Sequence, residues 1–181
     1  MFRISIYILL MFSCLFSGSN VYAEPETSPK QKQEAMIASF LSGLQTEIPK
    51  QAVELWILGV KNRSGAVQYA TLSPNLQQKT RKQFERSWST GQSSPWVDNF
   101  RLVKEERISD NTVKYTIEYE LLTSGSNYGR SQKVITVQKN PEEFRKNWFI
   151  TEITTKYNEY EEFTPAETVI RRSVGLMRDL Y

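Results

Sequence analysis

The chain has 181 residues, with 23 basic and 20 acidic side chains, a formal charge of +3, no histidine and one cysteine. Without histidine the usual neutral-pH proton shuttle, the commonest metal ligand and any Ser-His or Cys-His nucleophile pair are absent, and one cysteine cannot form an internal disulfide. The mild charge falls short of the concentrated basic face that nucleic acid requires, and neither G-x-x-x-x-G-K-S/T nor G-x-G-x-x-G is present to cradle a nucleotide phosphate.

Residues 1–23 read as a secretory signal peptide. Arg3 supplies the positive charge, residues 4–16 are an apolar run, and Val21-Tyr22-Ala23 places small residues where a signal peptidase reads. The run is shorter than the roughly 20 apolar residues of a membrane span. Lipid attachment at Cys14 is the competing reading, but Met11 and Phe12 before it are bulky and the site is early in the segment. Cleavage after Ala23 sends the protein to the secreted or envelope space without a thiol. It also removes Arg3 and no acid, lowering the net charge to +2. Contact with anionic envelope polymers is then weak.

After a polar leader, residues 24–28, the α+β domain spans residues 29–160. Ser28-Pro29-Lys30-Gln31 is a capping-box start with proline in the first turn. Ile37, Phe40, Leu41, Leu44 and Ile48 follow as one apolar helical stripe. Pro49 restarts a helix whose Ala52, Val53, Leu55, Trp56, Leu58 and Val60 are apolar nearly all round, which marks it as the most buried. Gly65 is expected to end it in the left-handed conformation. A short helical piece covers residues 66–72, and Ser73-Pro74 starts another helix to about Ser87. Lys79, Lys82 and Arg86 lie along one side of it, a pattern that fits a solvated face better than an anion site.

Trp88 to Trp96 is a turn-rich link to the strand half. Strands are expected at 97–108, 112–122, 132–139 and 148–157. Asp110-Asn111 closes the first hairpin, and Asn140-Pro141 opens the last connection. In the second strand Val113, Tyr115, Ile117, Tyr119 and Leu121 share one face, and Lys114, Thr116, Glu118 and Glu120 share the other. No connection is long enough for a helical crossover, so the sheet is expected to be four-stranded and antiparallel.

Thr164-Pro165-Ala166-Glu167 reads as a second capping box that opens an amphipathic helix over residues 164–181. Its apolar stripe is Val169, Ile170, Val174, Met177, Leu180 and Tyr181. That stripe suits folding back on the domain, docking on a partner protein, or lying on a membrane surface.

The stretch A-V-E-L-W-I-L-G-V-K-N-R-S-G-A at 52–66, with Y-A-T-L-S-P at 69–74 and the S-S-P-W turn ending at Trp96, resembles the NTF2-like (cystatin-like α+β) superfamily. The resemblance implies N-terminal helices packed on a curved sheet, a cone with a pocket at its wide end, and pairing of two copies through the outer sheet face. The superfamily includes isomerase-like and dehydratase-like enzymes as well as non-catalytic domains, so fold alone assigns no activity.

The residues name no catalytic group, cofactor or metal ligand. Glu118 and Glu120 fall on the outer face, where ion pairing accounts for them. Glu152, in phase with Trp148 and Ile150, is the carboxylate that could point inward. The aromatic side chains Trp56, Tyr69, Trp88, Trp96, Tyr115, Tyr119 and Trp148 are the candidate ligand pocket, a filled aromatic core being the simpler alternative. The resulting expectation is a secreted, non-enzymatic domain that binds a protein partner or a small apolar ligand. Two alternatives stand beside it: a small hydro-lyase or isomerase using tyrosine and a buried carboxylate, and an envelope structural protein docked through its C-terminal helix. A carboxylate facing the same space as Tyr115 and Tyr119 would favour the enzyme.

Overall fold

A computed structural model describes residues 28–44, 46–139 and 147–171. The expected signal segment with Cys14, the expected leader as far as residue 27, Asn140-Pro141, and Val174, Met177, Leu180 and Tyr181 lie outside the described residues. So do the side chains of Ile37, Phe40 and Leu41. The chain divides into two compact units, Met1–Ala38 and Ser39–Tyr181. Helix α1, Pro29–Gly43, crosses that boundary. It starts with the expected capping box: the Ser28 hydroxyl accepts from Gln31 N at 3.2 Å, and Gln31 Oε1 accepts from Ser28 N at 2.9 Å.

The second unit opens with three further helices, α2 (Pro49–Lys61), α3 (Gly65–Ala70) and α4 (Pro74–Arg86). Ile48 does not extend the α1 stripe but is the N-cap of α2, where Gln51 Oε1 accepts from Ile48 N and Glu47 N. Ser64 and Ser73 accept from Val67 N and Leu76 N as the N-caps of α3 and α4. The left-handed residue between α2 and α3 is Arg63, with φ of 54°, and not Gly65. Gly65 is required for a different reason. Its N–H bonds Trp88 O at 2.7 Å, and a Cβ there would stand 2.9 Å from the same oxygen.

Strands β1 (Trp96–Ser109), β2 (Thr112–Leu122), β3 (Asn127–Lys139), β4 (Trp148–Lys156) and β5 (Glu167–Ile170) form one sheet in the order β1-β2-β3-β4-β5. The first four are antiparallel, with residues 110 and 111 as the tight turn between β1 and β2. β5 pairs parallel with β4, so the sheet is five-stranded and mixed, not four-stranded and antiparallel. Four described helices with this mixed sheet make an α+β fold. Val169 and Ile170, expected to begin a C-terminal helix, instead lie in β5 and pair with Thr155 and Lys156. The crossover from β4, residues 157–166, contains no helix and is tied to the sheet at Glu161 and Thr164 by side-chain bonds described below.

The oily face of β2 is buried as its alternation requires. Val113, Tyr115, Ile117, Tyr119 and Leu121 are all at most 1% exposed. Val113, Tyr115 and Ile117 join Ala52, Val53, Trp56 and Val60 of α2 and Ile135, Val137, Ile150 and Ile153 of β3 and β4 in one core. Trp56 is wholly buried, and its indole N–H has no acceptor. Removing an indole's roughly 200 Å² from water gains about 5 kcal/mol. That outweighs the about 1–3 kcal/mol cost of the unpaired donor.

Two features of β4 set up the site. A bulge falls where Thr136 pairs with Glu152 and Val137 with Ile150, so the inward phase moves from Trp148 and Ile150 to Ile153 and Thr155. Glu152 therefore faces water, against the inward position its spacing from Ile150 suggests. The β4 edge ahead of β5 is covered as well: Trp148 N bonds Thr46 O, Ile150 N bonds Thr71 O, and Ser73 N bonds Ile150 O. No described helix is long and apolar enough to cross a membrane.

Candidate functional site

Strand alternation places Ser131, Lys133, Ile135 and Val137 of β3 on the inner face beside the oily face of β2. A lysine there must find partners, because an unpaired buried ammonium is costly. Lys133 Nζ donates to Glu161 Oε1 at 2.5 Å, to Glu167 Oε2 at 2.8 Å and to Thr155 Oγ1 at 3.4 Å. Its side chain is 2% exposed, that of Glu161 2% and that of Glu167 0%. The Tyr119 hydroxyl donates to both Glu161 oxygens, at 2.6 and 2.7 Å. Glu167 also accepts from Thr155 Oγ1 at 2.7 Å, from Thr164 N at 3.1 Å and from the Thr164 hydroxyl. The ammonium lies 4.8 Å from the Tyr119 ring centroid.

This cluster joins β2, β3, β4, β5 and the crossover segment. Burial works against the charge of Lys133, but Glu167, Tyr119 and Glu161 outweigh it and hold its pKa above the ordinary lysine value. Burial, with Glu161 adding to it against the pull of Lys133, pushes the Tyr119 hydroxyl above the usual phenol range. The lysine is therefore a protonated donor at neutral pH, and Tyr119 a neutral one. All three N–H donors of Lys133 are engaged. Tyr115, on the same face of β2, is pushed up to about 12 by burial and by Glu105 beside it.

Lys133 and Glu161 lie at the inner end of a cleft of about 310 Å³. Its apolar wall is Val60, Pro95, Trp96, Val97 and Leu121, and its polar wall includes Lys61, Arg63, Gln92, Asp98 and Glu162. Lys61 is paired with Asp98 at 3.0 Å. Arg63 is anchored by main chain instead, Nε donating to Thr90 O at 3.2 Å and Nη2 to Gly91 O at 3.0 Å. The volume lies at the small end of the range that ligand sites occupy.

No family model matches this sequence. No curated protein matches it either.

The seven aromatics named from the sequence do not surround one space. Trp56, Tyr115 and Trp148 belong to the core, with Tyr69 packed against it. Tyr69 meets Phe84 edge-on and Trp88 stacks on Phe84 at the margin of the same core, where Trp88 is half-exposed. Tyr119 joins the lysine cluster and stacks on Phe100. Of the seven, Trp96 lines the cleft, and it is 37% exposed. Glu118 and Glu120 are on the outer face, paired with Arg101 and Arg130.

Sequence reasoning missed Lys133, Glu161, Glu167 and Arg63. Lys133 had left a signal, a lysine on the apolar phase of an alternating strand. Glu161 and Glu167 had left none, since their partners are 28 and 34 residues away. Among the described residues, no three His, Cys, Asp or Glu side chains converge as metal ligands.

Proposed function

We propose that the protein is an extracytoplasmic, non-enzymatic binding domain of NTF2-like layout that takes a small ligand with an apolar body in the Trp96 cleft. One observation carries the reading. The groups at the inner end of the cleft that could move protons, Lys133, Tyr119 and Glu161, are tied to one another, while the apolar wall at Trp96 is open to a ligand. A lysine held protonated with every donor engaged is neither nucleophile nor base. Trp96 offers an indole face on which a flat or apolar group gains contact area. Helices packed on one sheet face support the NTF2-like layout, and the signal-like residues 1–23 support export.

The outer sheet face has no part in this proposal. Pairing two copies there would cover Arg101, Glu118, Glu120 and Arg130, and removing such charges from water is costly.

The test uses a neutral, environment-sensitive apolar dye, Nile red, titrated against the protein and against Trp96→Ala. Saturable binding to the wild type that weakens about tenfold in the variant, ~1.4 kcal/mol, supports the reading. Equal binding by both proteins, or none by either, removes it.

A second reading has one observation in its favour. Glu161 shares its space with Tyr119, the arrangement that a tyrosine-carboxylate isomerase or hydro-lyase needs. It requires Lys133 or Glu161 to be chemically available. Amine-reactive labelling followed by peptide mass mapping decides this: Lys133 unmodified while the surface lysines react speaks for the structural cluster, and preferential modification of Lys133 for the enzyme.

A further inference from the structure

The cleft contains three cationic side chains, and two are already neutralised. Lys61 pairs with Asp98, and Lys133 with Glu161 and Glu167. Arg63 differs in forming no ion pair with any described carboxylate. Its Nε and Nη2 are bound by the main-chain oxygens of Thr90 and Gly91, which fix the plane of the guanidinium without cancelling its charge. A guanidinium has five N–H donors, so three remain for another acceptor.

The backbone is also unusual here. Arg63 has φ of 54°, the region that glycine and asparagine enter readily and other L-residues enter at a cost of roughly 1–2 kcal/mol. The turn between α2 and α3 would form more easily with either of those residues, yet it carries the long cation. Its N–H bonds Val60 O, and its O accepts from Thr90 N, both at 3.0 Å. The strained residue is therefore held from both sides, with its side chain on the cleft that Trp96 also lines.

Building on the binding reading above, we propose that the cleft recognises a monoanionic carboxylate joined to an apolar or aromatic body, the carboxylate on Arg63 and the body against Trp96. A planar, pre-oriented guanidinium matches a carboxylate's two oxygens, and little side-chain freedom is left to lose on binding. Glu162, on the same cleft, makes no hydrogen bond or ion pair among the described residues. Its negative charge disfavours a phosphate dianion more than a carboxylate, which sets the ligand class.

The test compares N-acetylphenylalanine, a carboxylate at neutral pH, with its uncharged amide and with phenyl phosphate, by calorimetry on the protein. The acid is expected to bind about tenfold tighter than the amide, as a charge-assisted bidentate contact implies. Arg63→Asn and Arg63→Gly both remove the guanidinium with residues that accept positive φ, so the fold is kept. In either variant the acid loses about tenfold or more and falls to the level of the amide, while the amide, which offers Arg63 only a neutral acceptor, loses less. Trp96→Ala weakens both ligands. Acid and amide binding equally well in the wild type overturns the carboxylate assignment and leaves the apolar cleft standing. Phenyl phosphate binding tighter than the acid overturns it as well. No binding of either phenylalanine derivative, with Nile red also failing, overturns the cleft itself.

Discussion

Replacing Lys133 with methionine tests whether the buried cluster holds the crossover to the sheet. Methionine is near lysine in length and fills the same space with an uncharged chain, so the perturbation is chiefly electrostatic. The variant leaves Glu161 and Glu167, 2% and 0% exposed, facing each other's charge without a cation. Removing one partner of a buried pair costs about 3–5 kcal/mol, and here a single ammonium serves two carboxylates, so the expected loss is about 4–5 kcal/mol. Total stability of about 5–15 kcal/mol makes this a large fraction, and the midpoint of thermal unfolding should fall by about 10–15 °C. Urea unfolding, followed by tryptophan fluorescence, measures it directly. The triple variant Lys133→Met/Glu161→Gln/Glu167→Gln removes the stranded charges and is expected to recover more than half of the loss, because the amide oxygen at 161 still accepts from Tyr119, the one at 167 still accepts from Thr164 N, and the amide N–H at 167 donates to Thr155 Oγ1 instead. A loss below about 1 kcal/mol in the single variant would mean that water reaches the cluster and that the crossover is held by something else. A triple variant no better than the single one would remove the charge argument.

Further outcomes follow from the same structure. Lys133, Tyr119 and Tyr115 all have folded pKa values above their ordinary ones, so the folded state keeps protons that the unfolded state loses. Their contribution is complete below pH ~10 and is lost as pH rises beyond it, by at most about 1.4 kcal/mol per pH unit for each of Lys133 and Tyr119 and by less for Tyr115, and a flat urea midpoint from pH 10 to 12 would contradict this. Gly65→Ala sets a methyl 2.9 Å from Trp88 O, a backbone atom that cannot swing away, and should cost about 1–3 kcal/mol in the urea midpoint. Glu118→Gln, on the outer face with Arg101 and Arg130, should change stability by less than about 1 kcal/mol, and by less still at high salt.

What could be read from the chain divides along the range of the interactions involved. Ser28 with Gln31, Ser73 before Pro74 and the alternation of residues 112–122 are local signals, and the helices and antiparallel strands follow them. The tail shows where local reading stops. Thr164 and Glu167 do bond as a capping box would have them, Thr164 N to Glu167 Oε1. The other Glu167 oxygen is taken by Lys133 and Thr155, and backbone pairing with β4 replaces the helix. Nothing in T-P-A-E announces a lysine 34 residues upstream. The inward turn of Glu152 failed for a related reason, since a bulge of one residue has no marker in F-I-T-E-I-T. The candidate site was less legible than the fold. Aromatic content pointed to Trp96 along with six rings that serve elsewhere, and Arg63 was hidden in a turn whose glycine drew attention.

The extra residue in β4 sets the parity of everything after it. If β4 ran straight through at its present length, without the bulge, Ile153 and Thr155 would fall on the wet side of the sheet. Thr155 could then no longer share a proton with Glu167, and the last strand would lose the side-chain clasp that seats it. Removing Thr151 would close the bulge and keep both side chains inside, whereas removing Thr154 would turn Thr155 outward.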